Sequence, residues 1–227
     1  MHATSVVGQT SEWTARAGLR LEQLLRHLPV HRPRWLRGPA LSDPVRRPTI
    51  VTERLTLRAH RLRHRRAWYA LQSDPDVVRY LQWPLRSRTA SFKHLLDRMR
   101  HTRLERKDDF LALAVLLDGR VIGDVSLHLR NVDPHLRHLE IGWVFAPAAQ
   151  GRGYATEAAI GMLELAFGRL GARQVTARMQ SANDRSQALA TRLGFVEVSE
   201  ARGIRLMAIS SEQFALTRRA AASRRAE

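Results

Sequence analysis

Gln150-Gly151-Arg152-Gly153-Tyr154-Ala155 lies between an apolar stretch that reads as a strand, residues 139–145, and one that reads as a helix, residues 156–170. The glycines and the alanine keep side chains clear, so successive backbone N–H groups can converge on one anion at the positive end of the helix. The stretch therefore reads as a phosphate cradle. Its spacing is neither the Gly-x-Gly-x-x-Gly of dinucleotide folds nor the Gly-x-x-x-x-Gly-Lys-Ser/Thr of nucleotide triphosphatases. It follows instead Gln/Arg-x-x-Gly-x-Gly/Ala, with Gln150, Gly153 and Ala155 at the fixed positions.

Outward from the cradle, strand and helix patterns alternate, which indicates an α/β or α+β domain on a mixed sheet. Residues 54–58 alternate polar and apolar side chains as a half-buried strand does. Helices are expected over 65–72, 76–81 and 89–106. Strands 110–117 and 121–129 flank Asp118-Gly119, a dipeptide that favours a tight hairpin. Residues 136–145 give the next strand, which Pro147 helps to end. Beyond the cradle helix, closed by Gly171, come a strand at 174–179 and a helix at 185–193 stopped by Gly194. A hairpin of 195–198 with 204–209 follows.

A chain of 227 residues with 44% hydrophobic content buries one sizeable core. The expected division is a basic, Pro-rich extension at 1–48, a single domain at 49–217 and a basic tail at 218–227. Within the extension, residues 12–27 read as a short helix and the remainder as a linker with little regular structure; the tail reads as frayed helix or disorder. Absence of cysteine removes disulfides, a thiolate nucleophile and cysteine metal sites from consideration. No apolar run reaches the roughly 20 residues of a membrane span, and the N-terminus lacks the apolar core of a secretory signal; a cytoplasmic location is expected.

The formal charge is +17, carried almost entirely by arginine, since Lys93 and Lys107 are the lysines. Such a balance attracts nucleic acid, anionic surfaces and cofactor phosphates. An arginine-rich, alanine-rich composition also arises from codon usage, with the arginines forming a solvated face. Both readings stand at this level.

Further blocks surround the cradle. Glu140-Ile141-Gly142-Trp143-Val144-Phe145 precedes it and Ala155-Thr156-Glu157-Ala158 continues it. Asn183-Asp184-Arg185-Ser186 and Leu193-Gly194-Phe195 follow, while Thr52-Glu53-Arg54-Leu55 and Ser73-Asp74-Pro75-Asp76-Val77 stand near the start. In this order the blocks resemble those of the GNAT acyltransferases, in the branch that includes the ribosomal-protein N-terminal (alanine/serine) acetyltransferases. The resemblance runs from about residue 52 to residue 214. It implies an α+β, three-layer fold: a mixed, mostly antiparallel sheet of six or seven strands, helices on both faces, and a splay between the two central strands.

The same resemblance implies acetyl-CoA as co-substrate and no metal. The cradle from Gln150 through Gly151, Arg152, Gly153 and Tyr154 to Ala155 would hold the diphosphate, and backbone groups along Trp143, Val144, Phe145 and Ala146 the pantetheine arm and thioester oxygen. Glu140 is implied as general base. From the residues alone it is either half-buried beside the cleft, where burial raises a carboxyl pKa, or a solvated strand carboxylate. The tyrosine that many GNAT enzymes use as acid is replaced by Ala190, and Ser186 matches the serine proposed in the resembling branch. Ser186 is equally suited to first-turn hydrogen bonding behind an N-cap at Asn183, and Asn183 is implied as a pantetheine contact or that cap. Arg185 and Arg192 are implied as contacts for the 3′-phosphate. His60 and His64, or His135 and His138, do not form a metal set.

The expected activity is direct acetyl transfer to a primary amine, at a protein or peptide N-terminus or on a small amine, by a monomer or homodimer. Without cysteine there is no acyl-cysteine intermediate. The alternatives are a polyanion-binding module, associating weakly with nucleic acid or the ribosome through the basic N-terminal segment, and a catalytically idle acetyl-CoA sensor.

Overall fold

The computed structural model describes residues 38–81 and 83–226. The expected helix at 12–27 lies outside the described residues. In chain order the elements are β1 Ala40–Arg46, β2 Ile50–Val51, β3 Leu55–Ala59, α1 Arg65–Ser73, α2 Pro75–Val78, α3 Arg88–Arg100, β4 Arg103–Arg106, β5 Phe110–Leu117 and β6 Arg120–Asn131. Then follow β7 His138–Phe145, α4 Tyr154–Glu164, β8 Gln174–Gln180, α5 Asp184–Arg192, β9 Val196–Ala201, β10 Ile204–Ser210 and α6 Ser211–Ala226.

The main sheet has eight strands in the order β2-β3-β5-β6-β7-β8-β10-β9, and β1 pairs with β4 in a separate ribbon. Within the main sheet β7 and β8 run parallel and the other neighbours antiparallel. This is the expected α+β class, with the edge pair Ile50–Val51 as the strand beyond the expected count. The Asp118-Gly119 hairpin forms with positive φ at both residues, 48° and 77°, the geometry that its right-handed strand twist selects.

Side-chain alternation along β7 sends Leu139, Ile141 and Phe145 into a core shared with Ala158, Met162 and Leu163 of α4. Val144 instead packs with Trp68, Leu71, Val77 and Leu95 beneath α1, α2 and α3. The sheet is therefore covered on both faces, and the strand carrying the candidate chemistry is central. Each fully buried leucine in these layers contributes roughly 1.5–3 kcal/mol.

Two local expectations fail. The helix expected to reach residue 106 stops at Arg100: His101 leaves helical geometry at φ −86°, ψ 75°, and β4 begins at Arg103. Fully buried Leu104 is opposed to fully buried Val45 in the β1–β4 ribbon, and Asp109 accepts from the amides of Glu105 and Arg106, each at 3.0 Å. Burial and pairing override the helical pattern there. For the same reason residues 40–46, expected as linker, are a strand that buries Leu41 and Val45. Residues 211–226 form one helix that takes in residues 218–226 of the expected tail.

Candidate active site

The cradle has the backbone its glycines allow. Gly151 and Gly153 adopt φ of 74° and 78°, and α4 starts at Tyr154 with Gly153 as an N-cap that provides no side-chain acceptor. The first amides of a helix have no intrahelical partner. Among the described residues, no acceptor takes the amides of Gly151, Arg152, Gly153, Tyr154 or Ala155. They form a concentrated set of donors at the positive helix end.

Next to the cradle the sheet parts. Parallel pairing of β7 with β8 covers His138↔Gln174, Leu139↔Val175, Glu140↔Thr176 and Ile141↔Ala177. Beyond this β7 continues to Phe145 against β6, and β8 to Gln180 against β10, with no pairing between the two. The Ala146 amide donates to the Ile122 carbonyl at 2.9 Å. By strand alternation the Val144 amide also faces β6, and those of Trp143 and Phe145 face the gap. Of the four backbone positions expected to line the splay, Ala146 is thus already hydrogen-bonded and Val144 points away. The Gln150 side chain donates from Nε2 to the Phe145 carbonyl at 3.2 Å and accepts from Arg185 Nη1, tying the strand end to α5.

Glu140 shares the face of Val144 by strand alternation and is half-buried. Arg130 Nε and Nη2 each lie 3.2 Å from its Oε2, and Asp108 offers the same guanidinium a second carboxylate at 3.9 Å. Beside it His138 Nε2 meets Thr176 Oγ1 at 2.8 Å; burial holds this imidazole below its ordinary pKa, against the opposing pull of Glu140.

Ser186 is reached from the other face. Asn183 is the N-cap of α5, its Oδ1 accepting from the Ser186 amide at 3.1 Å. The serine hydroxyl is thus not the capping group; it accepts from Trp143 Nε1 at 3.3 Å. Glu140 and the Trp143–Ser186 contact thus lie on opposite faces of β7.

Sequence reasoning did not find a buried ionic nest on the Glu140 face. Asp124 is 1% exposed and is held by His60 Nε2 at 2.7 Å and Arg98 at 3.1 Å. Burial pushes its carboxyl up, yet Arg98 and His60 outweigh this and hold it below the usual range. Burial, aided by Arg98, lowers His94 to about 3, and burial with Arg130 lowers His128 to about 3. The signal available in the sequence is Asp124 and His128 within an otherwise apolar stretch that reads as a strand. Among the described residues, no cluster of three or more His, Asp, Glu or Cys is arranged to hold a metal, and no helix is long and apolar enough to cross a membrane.

A cavity of about 300 Å³ runs along α4 from Thr156 and Ile160, bounded by Arg192, Leu193, Phe214 and Thr217. Unpaired donors beside an open strand pair suit a ligand that carries a diphosphate.

Comparison with known proteins agrees with this geometry. The family described as acetyltransferase (GNAT) domain matches residues 54–196. YdaF of Bacillus subtilis (strain 168), a ribosomal N-acetyltransferase candidate by name, is 35% identical over 88 residues, 39% of this chain; the match spans about half of that relative, 47%. The N-acetyltransferase p20 of Bacillus licheniformis, itself uncharacterised, is 25% identical over 65% of this chain and 82% of its own. Among solved structures, a GNAT-family acetyltransferase from Bacillus anthracis superposes with a TM-score of 0.62 at 23% identity, covering 73% of this chain and 99% of that one. The ribosomal L7/L12 alpha-N-protein acetyltransferase RimL, in complex with coenzyme A, superposes at 0.57 with 19% identity, covering 72% and 98%. With the family matched over more than half its length, this chain belongs to the GNAT acetyltransferases.

Proposed function

We propose that this acetyltransferase moves an acetyl group from acetyl-CoA directly to a primary amine, at a protein or peptide N-terminus or on a small amine, and that it works in the cytoplasm. The observation that carries the reading is the set of unclaimed amides from Gly151 to Ala155 beside the parted ends of β7 and β8. The diphosphate would accept from those amides, and the Trp143 or Phe145 amide would polarise the thioester carbonyl. A neutral amine nitrogen attacks the carbonyl carbon and the C–S bond breaks. Glu140, directly or through water, takes the proton the nitrogen loses, and Ser186 relays one to the departing thiolate as water replaces its own. Asn183 orders the turn that presents Ser186.

A protein terminus as acceptor draws support from the names of YdaF and RimL and from the charge of +17, which disfavours polycationic acceptors. A screen of peptide termini and small amines with acetyl-CoA, following free thiol, tests it. Turnover is expected, and Glu140→Gln should lower kcat by about 100-fold while leaving acetyl-CoA affinity nearly intact. Retained binding without turnover on any amine would favour the idle sensor. The arginine excess supports a second reading, polyanion association, which a salt titration separates because nucleic-acid affinity falls steeply with salt.

A further inference from the structure

Thr52 and Arg54, in the turn between β2 and β3, meet the cradle through Glu157 in the first turn of α4. Thr52 Oγ1 donates to Glu157 Oε1 at 2.6 Å, the Arg54 amide to the same oxygen at 2.8 Å, and Arg54 Nε to Oε2 at 2.7 Å. The guanidinium then reaches over the loop. Its carbon lies 4.6 Å from the Tyr154 ring centre, Nη1 donates to the Arg152 carbonyl at 3.2 Å, and Nη2 would lie 3.4 Å from a Cβ at Gly153.

The bond to the Arg152 carbonyl has a directional consequence. In a trans peptide the carbonyl of one residue and the amide of the next point in opposite directions, and among the described residues there is no cis peptide bond. Holding the Arg152 carbonyl toward Arg54 therefore turns the Gly153 amide away from it, into the donor set. A loop with two glycines at positive φ would otherwise sample other peptide orientations. Arg54 has a second effect. Glu157 is a carboxylate in the helix turn that would face a diphosphate, and the guanidinium neutralises it at contact distance. Arg54 is 43% exposed and Glu157 only 14%, so the pair ties the β2–β3 turn to α4 and also holds the guanidinium over the loop.

We propose that Arg54, anchored by Glu157, is the positioning residue that presets the cradle for a diphosphate. This rests on acetyl-CoA being the ligand of the cradle. The arrangement lowers the ordering cost of binding, because the Gly153 amide is aimed before the ligand arrives.

The test uses the full chain and four proteins: wild type, Arg54→Ala, Arg54→Lys and the double variant Arg54→Ala/Glu157→Gln. Calorimetry with acetyl-CoA is combined with turnover on acetyl-CoA and on S-acetyl-pantetheine, which has no diphosphate. Arg54→Ala should weaken acetyl-CoA binding and raise its KM by about tenfold with kcat little changed. Turnover on S-acetyl-pantetheine should stay at the wild-type level. Arg54→Lys should recover part of the loss, and the double variant should bind better than Arg54→Ala because the uncompensated carboxylate is gone. Equal acetyl-CoA affinity in wild type and Arg54→Ala overturns the proposal, as does an equal loss on both donors, which marks general unfolding. Wild type that binds no acetyl-CoA overturns the functional reading and removes this one with it.

Discussion

The indole Nε1 of Trp143 donates to the hydroxyl of Ser186 at 3.3 Å, joining the strand that borders the gap to the first turn of α5. Asn183 takes the Ser186 amide, so the Ser186 hydroxyl, which accepts from the indole, keeps its own proton for the transfer proposed above. Ser186→Ala should lower kcat by about 10- to 100-fold without weakening acetyl-CoA binding. Trp143→Phe, which leaves the hydroxyl but loses its orientation, should have a smaller effect. Stopped-flow thiol release and calorimetry on the two variants check this ordering.

Gly151→Ala tests the cradle backbone in isolation. A Cβ there meets nothing within 4 Å, yet φ is 74°. The substitution should cost about 1–2 kcal/mol through strain or a reorganised loop, appearing as a five- to thirtyfold loss of acetyl-CoA affinity. Calorimetry measures the affinity, and thermal unfolding shows how much of the cost falls on the fold.

The gap wall predicts a different failure at Gly123. A Cβ at that position would lie 2.6 Å from Phe145 Cδ1 and 2.7 Å from the Val144 carbonyl oxygen. Gly123→Ala must displace the strand end that carries the Phe145 amide, so stability should fall by about 1–3 kcal/mol and transfer should fall with it. Denaturant midpoints and initial rates on the same preparation test the coupling.

Half-buried histidines set the pH response. Burial, with nearby arginines second, lowers His94 and His128 to about 3, whereas the unfolded groups titrate near 6.5. The unfolded state therefore binds more protons over that window. Their contribution is full above 6.5 and is lost as pH falls toward 3. The lowered Asp124 acts in the same direction, its contribution intact above its ordinary value of 3.8 and lost below it. Melting temperature should decline steadily from pH 7 to pH 4, and His128→Gln should flatten the decline.

The parts legible in the sequence are local ones. Gly151 and Gly153 announce a loop conformation that few other residues adopt, and Asp118-Gly119 announces a hairpin through its own backbone. Asn183 as a cap follows from its place before a helix. Where the outcome depends on which strand lies alongside, the sequence is silent. Leu104 fits a helical pattern until Val45 is opposite it. Glu140 could be placed on a strand, but Arg130 reaches it only through β6–β7 register. The Ala146 amide cannot be assigned to β6 before that register is known, and nothing in residues 52–54 names Glu157 as their partner.

In the proposed function, backbone donors at the cradle and along the gap hold the acetyl donor. Amide hydrogen exchange of the full chain, with and without saturating acetyl-CoA, examines those groups directly. Slowed exchange at Gly151 through Ala155, and at Trp143 and Phe145, with Val144 and Ala146 little changed, is the predicted result. Tight binding that leaves those amides exchanging as in the free protein would contradict it.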